Sequence, residues 1–296
     1  MPKKDKKRLL IQAYKGRAEV YNLIGKNKDA LKDIEKAIEL SKEIQDKKLT
    51  ADCILQLSRI YSSISRYDEM LKSAKDALLI YEEIKDKKGR ANSLNSIGNV
   101  YYSLGNYSLA LEYYNKSLKI WEDIGDRRGQ AYSLYNIGNV FIELKDFNQA
   151  LEYLEKSEKI AKEIGLKDIL CDVLISYSGI YIEMKEIDKA KDYAELAVKK
   201  AQEIKSKGKE ANALLLRARA LKCEEDFKQS IRMFEGLKQK HDLAVAHYFY
   251  AEFLISQKRF VEGKEYLKKS EKFFKEIKNK PYLKKIKELY ESIKNK

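Results

Sequence analysis

The sequence contains very little proline, cysteine and histidine. Its 296 residues include two prolines, three cysteines and two histidines. Strands need frequent turn residues between them, and this punctuation is missing. Charged residues make up 36% of the chain, mostly Lys and Glu interspersed with Leu, Ile, Ala and Tyr, a composition typical of helices. We therefore expect an all-α protein without strands.

The few cysteines and histidines argue against a metal site and a disulfide framework. Cys53, Cys171 and Cys223 are odd in number, far apart and outside any C-x-x-C motif, so we expect buried thiols. His241 and His247 are six residues apart, which does not place them on one helix face at ligand spacing. We expect no metal and no cofactor.

Motifs of catalysis and of membrane insertion are also missing. The chain has no G-x-x-x-x-G-K-[ST], no G-x-S-x-G and no H-E-x-x-H, so we expect that it is not an enzyme. It has no apolar run of the roughly 20 residues that a bilayer span needs, and the N-terminal stretch lacks the apolar core of a signal peptide. We expect a cytoplasmic protein that does not enter membranes.

The net charge of +14 is concentrated at the two ends of the chain. Residues 3–8 hold five basic residues and one acidic residue, and residues 264–296 hold twelve lysines and five glutamates. The long middle is therefore close to neutral. Basic ends could contact phosphates, but their lysines alternate with Ile and Leu at helical spacing, and no base-reading module is visible.

An internal repeat of 40 residues runs through most of the chain. Small or apolar residues recur in register at Ile11, Ala51, Ala91, Ala131, Cys171 and Ala211. Seven positions after each of these stands a small residue: Ala18, Ser58, Gly98, Gly138, Ser178 and Ala218. Three positions further comes a bulky one: Tyr21, Tyr61, Tyr101, Phe141, Tyr181 and Leu221. Each 40-residue repeat is predicted to be a helix, a short turn and a second helix.

We call the repeated position of the small residue, at Ala18 and its equivalents, the small slot. A requirement for a small side chain at this position explains why glycine occurs there inside a helix. Glycine costs about 1 kcal/mol relative to alanine in a helix interior. We expect Gly98 and Gly138 to lie where the first helix of a repeat crosses the second helix, with the aromatic residue three positions later filling the adjacent hole. We expect Trp121 and Met70 to pack in the core.

These patterns resemble the tetratricopeptide repeat. In the clearest copy the matching residues are Leu94, Ile97, Gly98, Tyr101, Gly105, Tyr107, Ala110, Tyr114 and Ser117. The resemblance implies a right-handed α-solenoid of about seven helix-turn-helix repeats. The period exceeds the usual figure of about 34 residues, and the usual helix-ending proline is absent.

The long period is similar to that of the repeats of kinesin light chain and of the scaffold that joins G-protein α subunits to the spindle. Those repeats share the D-[KR]-[KR]-G link seen at Asp86 to Gly89 and Asp126 to Gly129. We interpret this link as the end of a helix, with basic residues in the last turn and a glycine that takes positive φ.

The predicted organisation follows from the register. Residues 1–10 form a basic lead-in, residues 11–280 the superhelix, and residues 281–296 a capping helix. After Ala211 the spacing falls to 33, between Phe227 and Phe260, which predicts one shortened second helix. The repeats are expected at about 11–50, 51–90, 91–130, 131–170, 171–210, 211–243 and 244–280.

In the tetratricopeptide family the first helices line a concave groove that holds a segment of a partner protein. The corresponding slots here contain the peptide-binding candidates Asn95, Asn99, Asn139, Tyr102, Tyr132, Tyr135, Arg59 and Arg219. Carboxamides can donate to and accept from a peptide unit, and tyrosines offer rigid amphipathic surface. The carboxylate clamp of the chaperone-binding subfamily is absent, since Asn95, Asp172 and Ser176 occupy its slots.

The sequence therefore predicts a non-enzymatic scaffold that binds an extended or helical segment of another protein. The asparagines could instead be solvated groove residues, and each arginine could form a surface salt bridge. Two other functions are considered: an adaptor that associates with nucleic acid through basic ends, and a structural repeat protein that associates with itself.

Overall fold

The computed structural model describes residues 3–294, and within that range it contains fifteen α-helices and no strand. The prediction of seven helical hairpins followed by one final helix is confirmed. The first six helices are α1 (Lys3–Leu23), α2 (Asn27–Glu43), α3 (Lys47–Ser63), α4 (Tyr67–Glu83), α5 (Lys87–Ser103) and α6 (Tyr107–Asp123). The other nine are α7 (Arg127–Glu143), α8 (Phe147–Glu163), α9 (Lys167–Glu183), α10 (Ile187–Glu203), α11 (Lys207–Leu221), α12 (Glu224–Leu237), α13 (Lys240–Ser256), α14 (Phe260–Glu276) and α15 (Lys280–Ser292).

The chain divides into two compact units. Unit 1 is Met1–Asp126 and contains α1 to α6, whereas unit 2 is Arg127–Lys296 and contains α7 to α15. In each unit an odd-numbered helix pairs with the even-numbered helix that follows it, and this pair is the hairpin.

Every link between helices turns through a residue with positive φ. Lys85 has φ 55° and Gly105 has φ 74°. After each of these residues, the next backbone N–H closes the turn on a carbonyl five residues earlier, as Asp86 N does on Tyr81 O at 2.9 Å. This is the bond that satisfies carbonyl groups at a helix end. Links of the same geometry therefore separate helices of nearly equal length.

The interpretation of the D-[KR]-[KR]-G link as a helix end is wrong, because this segment begins a helix. The carboxylate of Asp86 is the N-cap of α5 and accepts a hydrogen bond from Gly89 N at 2.9 Å. Gly89 is buried within α5, and a Cβ there would lie 2.1 Å from Tyr81 Cδ1. Lys85 supplies the positive φ instead. Gly89 is therefore required for close packing and not for backbone conformation.

The small slot lies at the helix crossing, as predicted. A Cβ at Gly98 would be 2.6 Å from Tyr114 Cε1, and one at Gly138 would be 2.9 Å from Leu154 Cγ. Where the slot holds serine, the hydroxyl is also used: Ser178 Oγ donates to the opposing backbone carbonyl at 2.8 Å. The two helices of a hairpin thus approach so closely that a larger side chain does not fit.

The aromatic residue three positions after the slot stacks on a tyrosine of the second helix. The ring centroids of Tyr101 and Tyr113 are 5.5 Å apart, and those of Phe141 and Tyr153 are also 5.5 Å apart. Offset stacking of this kind adds to the burial of the rings. Tyr181 and Tyr193 form the same pair at 5.4 Å, so the stacking recurs in the three consecutive hairpins from α5 to α10.

The shortened hairpin differs from the prediction of one shortened helix. Helix α11 has 15 residues and α12 has 14, whereas the helices from α2 to α10 have 17 each. The two links around α12 contain two residues each instead of three. The missing seven residues are therefore distributed over both helices and both links.

Residues expected in the core are mostly found there. Met70 and Trp121 are buried, as are Cys53 and Cys171, whereas Cys223 is only half-buried. Burial raises the pKa of the Cys53 thiol to about 11. The buried cysteines are thus packing residues, and Cys223 is the exception to the expectation.

Odd-numbered helices form the inner side of each unit. In unit 1, α1 contacts α3 and α3 contacts α5; in unit 2, α7, α9, α11 and α13 contact one another in succession. Successive even-numbered helices make no comparable contact within the described residues of either unit. Because the odd-numbered helices lie closer together, their exposed face is the concave one. We call this face the inner side.

Candidate functional site

The inner side of unit 1 contains Asn99, which is half-buried on α5. Its Oδ1 accepts a hydrogen bond from the hydroxyl of Tyr114 at 2.7 Å. Tyr114 is only 2% exposed and lies against Gly98, so its position is fixed by packing. The hydrogen bond from Tyr114 therefore fixes the orientation of the Asn99 carboxamide. The Nδ2 group of Asn99 makes no hydrogen bond to the described residues.

Three more candidates lie on the inner side of unit 1. Asn95 is half-buried one turn before Asn99 on α5, and Tyr102 is half-buried near the end of the same helix. The Tyr102 ring is 5.9 Å from that of Tyr107. Arg59, on α3, is exposed and has no ion pair with the described part of the chain. Its charge is therefore available to an acidic group.

A buried tyrosine also orients Asp52, next to the leading position of α3. The hydroxyl of Tyr81 donates to Asp52 Oδ1 at 2.6 Å. Burial and this carboxylate raise the pKa of Tyr81 far above its usual value. In unit 1, Asp52 and Asn99 are thus oriented by the second-helix tyrosines Tyr81 and Tyr114, a role that the repeat pattern did not reveal.

In unit 2 the candidates Tyr135 and Asn139 form a network with Ser176. The hydroxyl of Ser176 donates to Asn139 Oδ1 at 2.8 Å. Burial raises the pKa of Tyr135, with Asp172 adding to the effect and hydrogen bonds to Asn139 and Ser176 opposing it. Unlike Asn99, Asn139 is therefore fixed by a neighbouring first helix, α9.

Tyr132 is held at the start of the same face. Its hydroxyl donates a hydrogen bond to Asp168, and the guanidinium of Arg128 lies 5.7 Å from its ring centroid. Burial raises the pKa of Tyr132, and Asp168 adds to this. Although burial opposes it, the hydrogen bond from Tyr132 contributes to a lowered pKa for Asp168. The hydroxyl of Tyr132 is thus directed at this carboxylate.

Arg219 is paired within the protein. Its Nη2 donates to Glu183 Oε1 at 2.7 Å, and its guanidinium lies 3.7 Å from the ring centroid of Phe249. The side chain is only 13% exposed. A partner carboxylate at this position would have to compete with Glu183, so Arg219 is a weaker candidate for charge selection than Arg59.

Basic residues near the start of the chain are also paired. Arg8 contacts Asp46 at 2.9 Å, Lys48 contacts Asp86 at 2.7 Å, and Lys88 contacts Asp126 at 3.0 Å. Asp46 and Asp86 are the N-caps of α3 and α5, so the first two pairs join one first helix to the start of the next. These charges serve the stacking of hairpins.

A cavity of about 590 Å³ lies between α14 and α15. It is lined by long charged side chains, among them Lys264, Lys275 and Lys287, together with Leu283 and Tyr290. The α15 residues that line the cavity lie, by helical spacing, on the face of α15 opposite Lys285. The cavity is therefore separate from the inner-side candidates, and its flexible walls do not define a ligand.

Within the described residues there is no group of three or more His, Cys, Asp or Glu side chains arranged to hold a metal ion. No helix in residues 3–294 is both long and apolar enough to cross a membrane.

His247 is 8% exposed and packs against Tyr266 with ring centroids 5.4 Å apart. Burial, with a contribution from Lys269, lowers its pKa to about 4, so it is neutral at physiological pH.

A tetratricopeptide repeat family model matches residues 50–123 and 89–163. This part of the chain therefore contains tetratricopeptide repeats, in agreement with the resemblance noted from the small and aromatic slots. No curated protein sequence matches the chain.

Similar solved structures share the hairpin fold. A Rap protein in complex with competence and sporulation factor is 16% identical, with a TM-score of 0.80 over 91% of this chain and 76% of that one. Aspartyl phosphate phosphatase F from Bacillus subtilis is 18% identical, with a TM-score of 0.75 over 91% and 71%. NprR in complex with its cognate peptide NprX is 12% identical, with a TM-score of 0.63 over 97% and 85%. At these identities the likeness shows the fold alone.

Proposed function

We propose that this protein is a non-enzymatic scaffold that binds a peptide or helical segment of another protein on the inner side of its hairpins. The observation that carries the proposal is Asn99, whose Oδ1 is held by a buried tyrosine while its Nδ2 group makes no bond within the described chain. An oriented amide donor on a concave face suits a backbone carbonyl of an extended partner.

The neighbouring side chains extend this role. In unit 1, Asn95 and Tyr102 lie on the same helix as Asn99 and offer polar and aromatic contact, and Arg59 can select an acidic side chain. In unit 2, Asn139 occupies the slot equivalent to Asn99. Ser176 donates to its Oδ1, and the Asn139 side chain is also hydrogen-bonded to Tyr135, so a partner would have to compete with Tyr135 for this amide.

The names of similar structures support a peptide as the partner. The Rap protein is complexed with competence and sporulation factor, and NprR with its cognate peptide NprX. The helix starts of this chain recur every 40 residues from Lys47 to Lys207, the spacing of the long type of tetratricopeptide repeat. We infer a scaffold of this long type with a peptide-sized ligand.

The proposal is tested with a random-peptide phage library panned against the immobilised full chain. Affinities of the selected peptides are then measured by calorimetry on the original chain and on Asn99→Ala, Asn139→Ala and Arg59→Ala variants. Loss of an oriented hydrogen bond should cost about 1–3 kcal/mol of binding free energy. Circular dichroism checks that helicity is retained.

A matched control separates the inner side from the rest of the surface. Asn115 is an exposed asparagine on α6, whose Nδ2 group donates to the carbonyl of Leu111 in its own helix. The Asn115→Ala variant should bind the selected peptides as the original chain does. Equal affinities for all four variants, or no selected peptide at all, would refute the proposal.

The absence of catalysis is part of the proposal and needs its own test. One chain of similar fold is named as an aspartyl phosphate phosphatase, so an acyl phosphate is the appropriate substrate to offer. We expect the rate of acetyl phosphate hydrolysis to stay at the background rate when the protein is added. A rate that grows in proportion to protein concentration would contradict the non-enzymatic assignment.

A further inference from the structure

The last helix, α15, is anchored at the far end of unit 2 by aromatic packing. Tyr282 is 7% exposed, and its ring stacks on that of Phe274, with centroids 4.2 Å apart and planes 5° apart. The same ring meets Tyr248 of α13 edge-on at 5.9 Å. One turn later, Ile286 is 1% exposed. The first half of α15 is thus packed against α13 and α14.

The same helix also reaches the first hairpin of unit 2. Lys285 Nζ lies 3.2 Å from Glu143 Oε2 at the end of α7, although 142 residues separate them in sequence. The Glu143 side chain is 19% exposed. Tyr282 and Lys285 are about one turn apart, so a single turn of α15 contacts both the last and the first odd-numbered hairpin helices of unit 2.

Charged side chains of α9, α11 and α13 lie close to α15 on the inner side of unit 2. Burial and the charge of Glu252 raise the pKa of Tyr248 on α13; Glu183 of α9 and Glu288 of α15 add to the increase, while Arg219 of α11 opposes it. Among the groups that belong to first helices, the carboxylates of Glu143, Glu183 and Glu252 outnumber the guanidinium of Arg219. Lys285 therefore brings a cation of α15 to a largely acidic edge formed by the ends of first helices.

The contact with α7 is easily exchanged, whereas the aromatic anchor is not. An ion pair that keeps some solvent access contributes little to stability. Lys285 is one-third exposed, and its neighbours Lys284, Lys287 and Glu288 are exposed. A competing cation could replace Lys285 at Glu143 without disturbing the packing of the hairpins themselves.

We propose that α15 is an internal occupant of the inner side of unit 2, and that the partner segment it excludes has the same chemistry. That segment is a basic amphipathic helix with an aromatic residue, a basic residue three positions later and an aliphatic residue directly after it, as in Tyr282, Lys285 and Ile286. This inference rests on the proposed function and adds to it the class of ligand and a means of regulation. Binding in unit 2 requires displacement of α15.

The first test uses hydrogen exchange in the full-length chain. Lys285→Glu or Glu143→Lys should make the amides of α15 exchange roughly three- to tenfold faster, because an attraction becomes a repulsion. The double variant, with the charges swapped, should restore the original rate. Lys284→Glu is the control, since Lys284 is 80% exposed and its ion pair among the described residues is with Glu288 of its own helix, at 3.9 Å. Unchanged exchange in both single variants would overturn the proposal.

The second test uses a fluorescently labelled synthetic peptide of residues 279–294 as the probe. The full-length Tyr282→Ala/Lys285→Glu variant, in which α15 is released, should bind this peptide at least about tenfold more tightly than the original chain, where the site is occupied. A peptide with Lys285→Glu should bind the released variant less tightly. Adding Glu143→Lys to that variant should recover the binding of the altered peptide.

The outcomes separate this inference from the proposed function. Peptide binding that is indifferent to the charge at Lys285 would overturn the inference, even where circular dichroism shows that the variants are folded. If the released variant unfolds, the charge-swap exchange experiment alone decides. Peptides selected by phage panning and weakened by Asn99→Ala concern unit 1 and support or refute the proposed function independently.

Discussion

The closest test of the helix crossing is the replacement of Gly98 by alanine. An added Cβ would lie 2.6 Å from Tyr114 Cε1 and 2.7 Å from Cδ1, whereas carbon atoms pack at about 3.5–4.0 Å. The tyrosine ring would have to move by roughly 1 Å. It has little freedom to do so, because it is 2% exposed and its hydroxyl is bonded to Asn99.

Two opposing terms determine the size of the effect. Overpacking of this kind costs about 1–3 kcal/mol, and the higher helix propensity of alanine returns about 1 kcal/mol. We therefore expect Gly98→Ala to lower the free energy of unfolding by about 0–2 kcal/mol. Gly98→Leu adds more atoms at the same place and should cost about 3 kcal/mol or more.

Gly16 provides the matched control. It lies inside α1, and a Cβ there would meet no atom within 4 Å. Gly16→Ala should therefore raise the free energy of unfolding by about 0.5–1 kcal/mol. The effects of the two Gly→Ala changes on the free energy of unfolding should thus differ by about 0.5–3 kcal/mol, which urea denaturation followed by circular dichroism can measure.

The reasoning fails if Gly98→Ala stabilises the protein as much as Gly16→Ala does, or if Gly98→Leu melts at the original temperature. A double variant gives a further check. Tyr114→Leu removes the ring that the new Cβ would strike, so Gly98→Ala should be less harmful in that background than alone. Equal costs in both backgrounds would show that the strain lies elsewhere.

Three further predictions concern a buried histidine, a helix cap and a link. Burial lowers the pKa of His247 from its ordinary value of 6.5 to about 4 in the folded protein. As the pH falls, the imidazole is therefore protonated in the unfolded chain before it is protonated in the folded one. The free energy of unfolding should decrease by about 2 kcal/mol between pH 7.5 and 5 through this residue. His247→Gln should remove that loss, while His241→Gln should leave it, in urea titrations at several pH values. Asp86→Ala removes the cap bonded to the N-terminal turn of α5 and should lower the free energy of unfolding by about 1 kcal/mol. Lys205 has φ 55°, so Lys205→Gly should raise the free energy of unfolding by about 1 kcal/mol, whereas Lys199→Gly inside α10 should lower it by about 1 kcal/mol.

Each of these has a contrary result. A pH slope that survives in His247→Gln would assign the proton uptake to other groups. Full stability of Asp86→Ala would mean that water or another side chain satisfies the start of α5. Equal losses for Lys205→Gly and Lys199→Gly would show that the positive φ of the link carries no strain.

Much of the fold could be predicted because packing constraints repeat every 40 residues. The requirement for a small residue at Gly98 and a ring at Tyr101 is expressed in side-chain size, which the sequence displays directly. The segment Asp86 to Gly89 starts a helix although the sequence predicted a helix end, because basic residues beside a glycine also occur at helix ends. The deciding feature is the carboxylate three positions before the N–H of Gly89, which marks a helix start.

The candidate site was predicted less completely, because a slot in a repeat says where a side chain lies but not what it meets. Arg219 was placed on the inner side, yet its partner Glu183 belongs to the preceding hairpin. The contact of Lys285 with Glu143 joins residues 142 positions apart. Such pairings depend on how a unit curves, and curvature accumulates over several hairpins without a local sequence signal.

The self-contained links between helices have a consequence for how this gene product can change in length. Each link closes on carbonyl groups of the helix just before it, and the 33-residue hairpin keeps this closure at Cys223 N on Ala218 O and at Gln239 N on Phe234 O, both at 3.1 Å. Duplication or excision of a whole hairpin would leave the backbone bonds of its neighbours unbroken. Lineages can therefore lengthen or trim the array, and so alter the extent of ligand it covers, without redesigning the turns.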